Sequence, residues 1–382
     1  MKHIKTVLAV AMAILAVGCA KKKDAGLTKS GLDPQNFVNE YNGQPTALYT
    51  LTNANGMEVC ITNFGGRIVS IMAPAKDGSF KDVVLGFDKV SDYFPENNAS
   101  DFGASIGRYA NRIAGGSFEI DGTVYNLPKN DGENTLHGGP TGWQYQVYEV
   151  VEADASHLKL LRNSPDGDNN FPGNVKAYVT YTLTDQNAID IWYEATSDKP
   201  TVINMTNHSY FNIDGDPTKN VLDDILYIKS STTTAVGAGL IPTGEIVSLL
   251  DTPMDFNAPK RIGDDIDKRD FEQIDLGNGY DHNWILDTNG DITVPAASLT
   301  SPTTGIKLEV YTDEPGIQVY SGNFLDGSVT GKKGIVYNQR AGICLETQHY
   351  PDTPHHADWP SVVLRPGEKY TSHCIFAFSV EK

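Results

Sequence analysis

Along most of the chain, apolar and polar residues alternate in short stretches and do not follow the 3.6-residue repeat of an amphipathic helix. Such period-two alternation is typical of strands with one buried face. The clearest predicted strands are residues 58–62, 175–183, 188–195, 307–312 and 375–380. Asp-Gly, Asn-Gly and Pro-Gly pairs recur between the apolar stretches, and these pairs favour tight turns.

The same pattern predicts the fold class. The chain has 36 Gly and 20 Pro spread throughout, and no segment combines sustained helical periodicity with capping residues. The sequence therefore predicts an all-β protein built as a large antiparallel β-sandwich. Because the composition does not shift after residue 46, we expect residues 46–382 to form a single domain.

The N-terminus has the features of a targeting segment. Two lysines precede an apolar run of 11 residues, Val7 to Val17, which is shorter than the about 20 residues that span a bilayer. The run ends in Leu-Ala-Val-Gly-Cys19, which resembles a bacterial lipobox, although Ala16 stands where Leu is usual. We predict a lipoprotein signal peptide over 1–18, lipidation of Cys19 and a polar tether over 19–45. An ordinary signal peptide, with Cys19 incidental, is the alternative.

This interpretation predicts a protein of the bacterial cell envelope that faces the periplasm or the exterior and touches the membrane only through its lipid anchor.

The formal net charge of −18 disfavours nucleic acid as a partner, because phosphates require clusters of Lys and Arg. Apart from Cys19, the chain has Cys60, Cys344 and Cys374 in apolar stretches. We expect buried free thiols, while a single bridge such as Cys60–Cys374 stays open.

Glu346 is a titratable residue inside an apolar strand-like stretch. Alternation places it on one face with Cys344 and Gln348, while Ile343 and Leu345 point the other way. A carboxylate in such surroundings costs free energy unless it is paired. A structural Glu held by a cross-strand Arg or Lys fits this pattern as well as a functional one.

His208 lies in a second stretch of this kind. Alternation places Asn204, Thr206, His208 and Tyr210 on one face, which is the composition of a site floor. A lone His is more often a structural residue.

Three further segments carry candidate chemistry: 107–116 with Asn111 and Arg112, 134–139 with His137, and 279–284 with Asp281. Aromatic rings beside acids and amides are typical of sugar sites. The glycines of 107–116 do not follow a strand-to-helix pattern, so no phosphate or dinucleotide loop is expected.

The histidines of the segment 349–356 imitate the spacing of metal ligands. His349, His355 and His356 lie close in sequence, but no Cys/His motif supports them. We interpret this segment as a solvated loop and predict no metal site.

Six separate stretches occur in the order found in one known family. They read GRYANRIAGGSF at 107–118, NTLHGG at 134–139, TNHSYFN at 206–212, GYDHNW at 279–284, PGIQVYSGNFL at 315–325 and LETQHYPDTP at 345–354. From about residue 50 to 380 the chain resembles the aldose 1-epimerase (galactose mutarotase) family. The resemblance implies a β-supersandwich, no cofactor and a sugar pocket on the concave face of the large sheet.

The resemblance also implies roles for individual residues. Glu346 matches the catalytic base, His208 the catalytic acid, and His137 a second pocket histidine that polarises the ring oxygen. The predicted substrate-binding residues are Asn111, Arg112, Tyr210, Asp281 and Gln318. One departure is the sequence His355-His356-Ala357, where the family usually has Asn or another small polar residue.

The expected function is interconversion of the α and β anomers of a free aldose such as galactose or glucose. A base takes the proton of the C1 hydroxyl while an acid protonates the ring oxygen, and the two groups exchange tasks after rotation about C1–C2. On this mechanism we expect Glu346 to be ionised and His208 protonated in the resting enzyme. Each charge would favour the other, and Arg112 would favour the anion further.

Three other functions fit parts of the sequence less well. A carbohydrate-binding module that has lost catalysis would need neither Glu346 nor His208. A glycoside hydrolase would need a second carboxylate, for which Asp281 is the candidate. A sugar-phosphate epimerase would need additional Arg or Lys residues, which the motifs do not supply.

Overall fold

Antiparallel β-strands make up almost all regular structure in the computed structural model, which describes residues 26–98 and 100–381. The predicted signal peptide and Cys19 lie outside these residues. In chain order the strands are β1 (Asn39–Tyr41), β2 (Gln44–Thr46), β3 (Leu48–Thr52), β4 (Glu58–Thr62), β5 (Arg67–Pro74), β6 (Phe80–Asp82), β7 (Ala104–Ile106), β8 (Arg112–Ile113), β9 (Ser117–Ile120), β10 (Thr123–Asn126), β11 (Thr135–Leu136), β12 (Glu149–Ala153), β13 (His157–Ser164), β14 (Val175–Leu183), β15 (Ala188–Ser197), β16 (Thr201–Val202), β17 (Thr206–His208), β18 (Tyr210–Phe211), β19 (Ile225–Ile228), β20 (Thr232–Val236), β21 (Pro242–Ser248), β22 (Lys260–Arg261), β23 (Asp281–Ile285), β24 (Ala297–Thr300), β25 (Ile306–Thr312), β26 (Gly316–Tyr320), β27 (Ile343–Gln348), β28 (Val363–Leu364) and β29 (Tyr370–Val380).

Helical structure in the described part is limited to the six-residue helix α1 (Glu272–Gly277) and short 3₁₀ turns. The turns are Pro34–Phe37, Val90–Tyr93, Ala114–Gly116, Trp143–Tyr145, Asp168–Asn170, Ala238–Leu240, Ile262–Asp264, Lys332–Gly334 and Thr353–His355. None of the described helices is long and apolar enough to cross a membrane. The prediction of an all-β fold is confirmed.

Three large sheets form the framework. The nine-stranded sheet has the order β12-β13-β14-β15-β29-β25-β24-β19-β22, the six-stranded sheet the order β18-β27-β26-β23-β20-β21, and the four-stranded sheet the order β3-β4-β5-β6. The main hydrophobic core lies between the nine-stranded sheet and the other two. Two-stranded pairs, among them β7–β17 and β8–β11, lie outside these three sheets.

The nine-stranded sheet shows the predicted alternation clearly. Strand β14 alternates between buried and partly exposed residues along its nine residues, because one face packs on the core and the other faces solvent. Its bounds agree with the predicted strand 175–183, and those of β4 agree with 58–62.

The six-stranded sheet is different, because its central strands are buried on both faces. All six residues of β27 are buried. One face of β27 packs on the core through Ile343 and Leu345, and the other face carries Glu346. On this second face, Glu346 pairs across the strands with Gln318 of β26, and Gln318 pairs with Asn283 of β23. The functional face of this sheet is therefore polar and enclosed.

The expected tether over 19–45 is too long. Leu32 is 1% exposed and Phe37 is fully buried, and both belong to a hydrophobic cluster with residues of β4 and β5. Residues 39–46 form the β1–β2 hairpin. Burial of two large apolar side chains fixes this segment on the domain, so only residues before about Ser30 can belong to a tether.

The three described cysteines, Cys60, Cys344 and Cys374, are free and buried. This confirms the expected buried thiols and excludes a Cys60–Cys374 bridge. Burial raises the pKa of the Cys60 thiol to about 11 and that of Cys374 to about 12.

Candidate active site

A cavity of about 170 Å³ opens at the polar face of the six-stranded sheet. This is smaller than the roughly 300–1,000 Å³ of pockets for drug-sized ligands, so it suits a small polar molecule. Its lining consists of Asp101, Asn111, Arg112, Leu136, His137, His208, Tyr210, Asp281, Tyr320, Phe324 and Glu346. Seven of the eight predicted catalytic and binding residues are among them; the exception is Gln318.

A larger cavity of about 500 Å³ lies elsewhere, between β3 and the β12–β13 pair. Tyr49, Tyr148 and Leu161 contribute to its walls, but its lining includes no histidine and no residue of the six motifs. The acid–base chemistry predicted from the sequence therefore belongs to the smaller cavity.

Glu346 lies in the middle of β27 and is 2% exposed. Its Oε1 is 3.6 Å from Nε2 of His208, and within the described residues its Oε2 has no hydrogen-bond partner. No cross-strand Arg or Lys makes an ion pair with it in this part of the chain. The structural alternative considered for Glu346 is therefore wrong, because its nearest ionisable partner is a histidine.

His208 ends β17 and is 5% exposed. Its ring stacks on Tyr210 at 5.0 Å and meets the ring of His137 edge-on at 5.1 Å. Its Nδ1 lies 3.5 Å from Sγ of Cys344, which leaves Nε2 directed towards Glu346. The residues of β17, β18 and β27 thus fix the orientation of the imidazole.

His137 has a defined tautomer. The backbone N–H of Asn111 donates to Nδ1 of His137 over 3.1 Å, so in the neutral ring Nε2 carries the proton and serves as a donor. Asp101, His137 and His208 are close enough together to hold a metal ion, as are His208, Cys344 and Glu346. The first group fits a metal poorly because neither ring nitrogen of His137 offers a free lone pair, and the second because burial keeps Cys344 a thiol by raising its pKa.

Arg112 and Asn111 enter the cavity from the segment that leads into β8. Nε of Arg112 pairs with Asp131 over 2.8 Å, and the backbone N–H of Arg112 donates to Oδ1 of Asn111 over 2.8 Å. Asn111 has a positive φ of 61°, a conformation that Asn tolerates better than most residues. The Asp131 carboxylate thus fixes the side chain of Arg112.

Gln318 does not line the cavity but positions a residue that does. Its Nε2 donates to Oδ1 of Asp281 over 2.7 Å, and Gln318 is 3% exposed. Burial raises the pKa of Asp281, while Arg112 and the bond from Gln318 act in the opposite direction. The amide nitrogen of Gln318 thus holds the Asp281 carboxylate, while its Oε1 has no hydrogen-bond partner within the described residues, so its predicted contact with the substrate stays a prediction.

Four residues of the lining were missed by the sequence reasoning. Tyr320 and Phe324 lie in the motif 315–325, where two aromatic residues near Gln318 were the available signal. Leu136 immediately precedes His137. Asp101 lies in a loop outside the six motifs, so no pattern in the sequence pointed to it.

The pKa shifts of the pair run against the expected charges. Burial raises the pKa of Glu346 well above its usual value, Asp281 and Asp101 raise it further, and Arg112 lowers it less. Burial lowers the pKa of His208 to about 4. Loss of hydration thus shifts both groups towards their neutral forms.

The histidines of the segment 349–356 do not converge on one point. His349 Nδ1 lies 2.6 Å from Glu314, His355 Nδ1 lies 2.7 Å from Asp352, and His356 stacks on Trp359 at 4.0 Å. Of the three histidines only His355 is exposed, with 37% of its side chain accessible, so the interpretation as a solvated loop holds for His355 but not for His349 or His356. The loop is attached to the site because the N–H of Asp352 donates to the carbonyl of Arg112 over 2.9 Å.

Comparison with known proteins shows the family of the chain. The sequence profile described as aldose 1-epimerase matches residues 47–377. The chain is 40% identical over 342 residues to the aldose 1-epimerase of Escherichia coli K12, covering 89% of this chain and 97% of that protein. It is also 40% identical to the galactose mutarotase of Homo sapiens over 324 residues, covering 85% and 92% of the two chains.

Solved structures give the same result for the fold. The structure of an aldose epimerase homologue from C. elegans superposes with a TM-score of 0.81 at 31% identity, covering 88% of this chain and all of the other. The galactose 1-epimerase from Lactobacillus acidophilus superposes with a TM-score of 0.78 at 31% identity, covering 90% and 97%.

Proposed function

The chain belongs to the aldose 1-epimerase family, and on that premise we propose that Glu346 and His208 move the protons at the anomeric centre. The enzyme is an isomerase that interconverts the α and β anomers of aldoses. The observation that supports these roles is the pairing of a buried carboxyl and a buried imidazole 3.6 Å apart in the wall of a small cavity.

In the proposed reaction, Glu346 accepts the proton of the C1 hydroxyl and His208 donates one to the ring oxygen. The C1–O5 bond breaks, C1 becomes an aldehyde, and rotation about C1–C2 presents its other face. Ring closure then reverses both proton transfers. The pair carries one proton throughout, so the cycle needs no exchange with solvent.

The pKa shifts support this assignment although they oppose the expected resting charges. A carboxylate whose pKa is raised is a stronger base, and an imidazolium whose pKa is lowered is a stronger acid. The neutral pair formed by the transfers is the form that burial favours. Burial therefore stabilises the open-chain stage relative to the closed ring.

The surrounding residues are suited to hold a sugar. We assign Nε2–H of His137, Arg112 and Asp281 to hydrogen bonds with hydroxyl and ring oxygens. The rings of Tyr210, Tyr320 and Phe324 offer apolar faces to the C–H groups of the sugar. Galactose and glucose are the proposed substrates.

We expect the rate to follow a bell-shaped pH profile. Because burial lowers the pKa of His208 to about 4, a second proton should inactivate the pair only in the strongly acidic range. Because the pKa of Glu346 is raised, the last proton should leave well above the usual range of a carboxyl group. Both limits belong to the coupled pair. The measurement is the initial rate by polarimetry, corrected for spontaneous mutarotation; a rate that climbs steadily with pH would contradict the assignment.

We further propose that the mature enzyme begins at lipidated Cys19, which anchors a single catalytic domain, extending from about Ser30 to the C-terminal strand β29, to the cell envelope. Buried acyl chains contribute about 0.8 kcal/mol per CH₂, so two or more chains hold a protein firmly. The variant Cys19→Ala should move the protein from the membrane to the soluble fraction after cell fractionation. Wild-type protein found in the soluble fraction would refute the anchor.

A further inference from the structure

Asp101 is the residue of the cavity that none of the motifs accounts for. It lies in the loop before β7. This loop is bonded to β17, because the N–H of Gly103 donates to the carbonyl of His208 over 2.9 Å. Gly103 has a φ of +69°, and a Cβ there would lie 1.9 Å from the carbonyl oxygen of Ile68. The turn therefore requires glycine, and it fixes the position of Asp101 relative to His208.

The side chain of Arg67 binds the backbone of the same loop. One of its terminal nitrogens donates to the carbonyls of Ser100 and Phe102 over 3.0 and 3.1 Å, on either side of Asp101. The guanidinium is thus bonded to the backbone, and no ion pair to the carboxylate of Asp101 forms within the described residues.

The carboxylate of Asp101 is half-buried at the cavity wall, and its Oδ1 is a buried acceptor without a partner in the described part of the chain. Burial raises its pKa to about 6, against the nearby charge of Arg67, so the group is mainly ionised at neutral pH. An ionised carboxylate only accepts hydrogen bonds. The site therefore presents a free acceptor that a ligand with a donor group would satisfy.

The location of Asp101 indicates which part of the sugar it faces. A carboxylate oxygen of Asp101 and one ring nitrogen each of His137 and His208 all lie within 4.8 Å of one another. Glu346 belongs to a different group, formed with His208 and Cys344. His208 is shared by the two groups, so Asp101 and Glu346 both lie close to its ring, although they do not share a group with each other.

We propose that Asp101 accepts a hydrogen bond from the C6 hydroxyl of the substrate and makes the enzyme selective for aldohexoses with a free C6 hydroxyl. This inference rests on the proposed function: with the C1 hydroxyl at Glu346 and the ring oxygen at His208, the next ring atom is C5, which bears C6. The C6 substituent therefore lies on the side of Asp101 and His137.

The same carboxylate disfavours an anionic group at C6. Asp101, Asp281 and Glu346 supply three carboxyl groups to the cavity, whereas its single guanidinium, that of Arg112, is already paired with Asp131. A second carboxylate or a phosphate at C6 would meet like charge without a free cation to balance it. Sugar acids and sugar 6-phosphates should therefore be poor substrates.

The experiment compares sugars that share the stereochemistry of D-galactose and differ only at C6. D-Fucose lacks the C6 hydroxyl, L-arabinose lacks C6, and D-galacturonate has a carboxylate there. For the wild type we expect kcat/KM on D-fucose and L-arabinose to be about 10- to 100-fold below that on D-galactose, the size of a charge-assisted hydrogen bond. D-Galacturonate should be poorer still.

Variants of Asp101 distinguish recognition of the C6 hydroxyl from a loss of activity on all sugars. In Asp101→Ala, kcat/KM on D-galactose should fall to the level of D-fucose, while the rates on D-fucose and L-arabinose stay within about twofold of wild type. In the isosteric Asp101→Asn, the relative rate on D-galacturonate should rise. Asp92→Asn removes a negative charge from the turn Val90–Tyr93, outside the cavity lining, and it should change none of these ratios.

Two results would overturn the inference. One is a wild-type enzyme that handles D-galactose and D-fucose equally well, and the other is an Asp101→Ala variant in which all the sugars lose the same factor. Both results leave Glu346 and His208 in their roles. A wild-type enzyme inactive on every sugar would instead refute the proposed function.

Discussion

Replacement of Glu346 by Gln should lower the rate constant for anomer interconversion of galactose or glucose by at least about 10²-fold. Gln keeps the shape of the side chain but cannot accept the proton of the C1 hydroxyl. Affinity for the sugar, measured by calorimetry, should change far less, because Arg112 and Asp281 remain. His208→Gln should show the same separation of rate from affinity.

A variant of a binding residue provides the matched control. Asp281→Asn weakens a charge-assisted hydrogen bond to a hydroxyl, which is worth about 1.5–3 kcal/mol. Affinity for the sugar should therefore fall more than the rate constant of the bound sugar does. Equal rates in wild type and Glu346→Gln would remove Glu346 from the role of base. A wild-type protein that binds aldoses without accelerating their mutarotation would instead be a carbohydrate-binding module.

The second large effect concerns stability. Arg67 is fully buried, and its guanidinium donates to the carbonyls of Ser100, Phe102 and Gln144. Arg67→Met fills much of the same volume but leaves three carbonyls without their donor. Each buried unsatisfied group costs roughly 1–3 kcal/mol, so we expect the free energy of unfolding to fall by about 3 kcal/mol or more.

Urea denaturation followed by fluorescence measures this change. The exposed pair of Arg261 with Asp223 supplies the control, since Arg261→Met should cost less than about 1 kcal/mol. Because Arg67 holds the loop of Asp101, the folded fraction of Arg67→Met should also lose its preference for a C6 hydroxyl. An unchanged unfolding midpoint would show that the three hydrogen bonds make no net contribution to the free energy of unfolding.

Much of the architecture could be predicted from local pattern. Strands such as β4 and β14 have one face on the core and alternate accordingly, so their bounds agreed with the sequence. The pattern also identified the two faces of β27, but it did not show that the face carrying Glu346 is buried as well. It also assigned Leu32 and Phe37 to a tether, since isolated apolar residues in a polar segment give no periodic signal.

Seven residues of the candidate site could be predicted as well, because they lie within short motifs of recognisable order. Asp101 could not, since only the folding of the β7 loop against β17 brings it to His208. The bond from Gln318 to Asp281 could not be predicted for a similar reason, because it depends on the register of β23 and β26.

The sequence by itself determined the family and the all-β fold and predicted the acid–base pair, because these depend on residue type and order. The tertiary structure decided how deeply that pair is buried. Opposite charges in the sequence suggested a stable ion pair between Glu346 and His208. Enclosure between the core and the loops removes the water that would hydrate both charges, and this desolvation raises the pKa of Glu346 and lowers that of His208. Burial depends on the whole fold, so only the assembled structure could set the sign of these shifts.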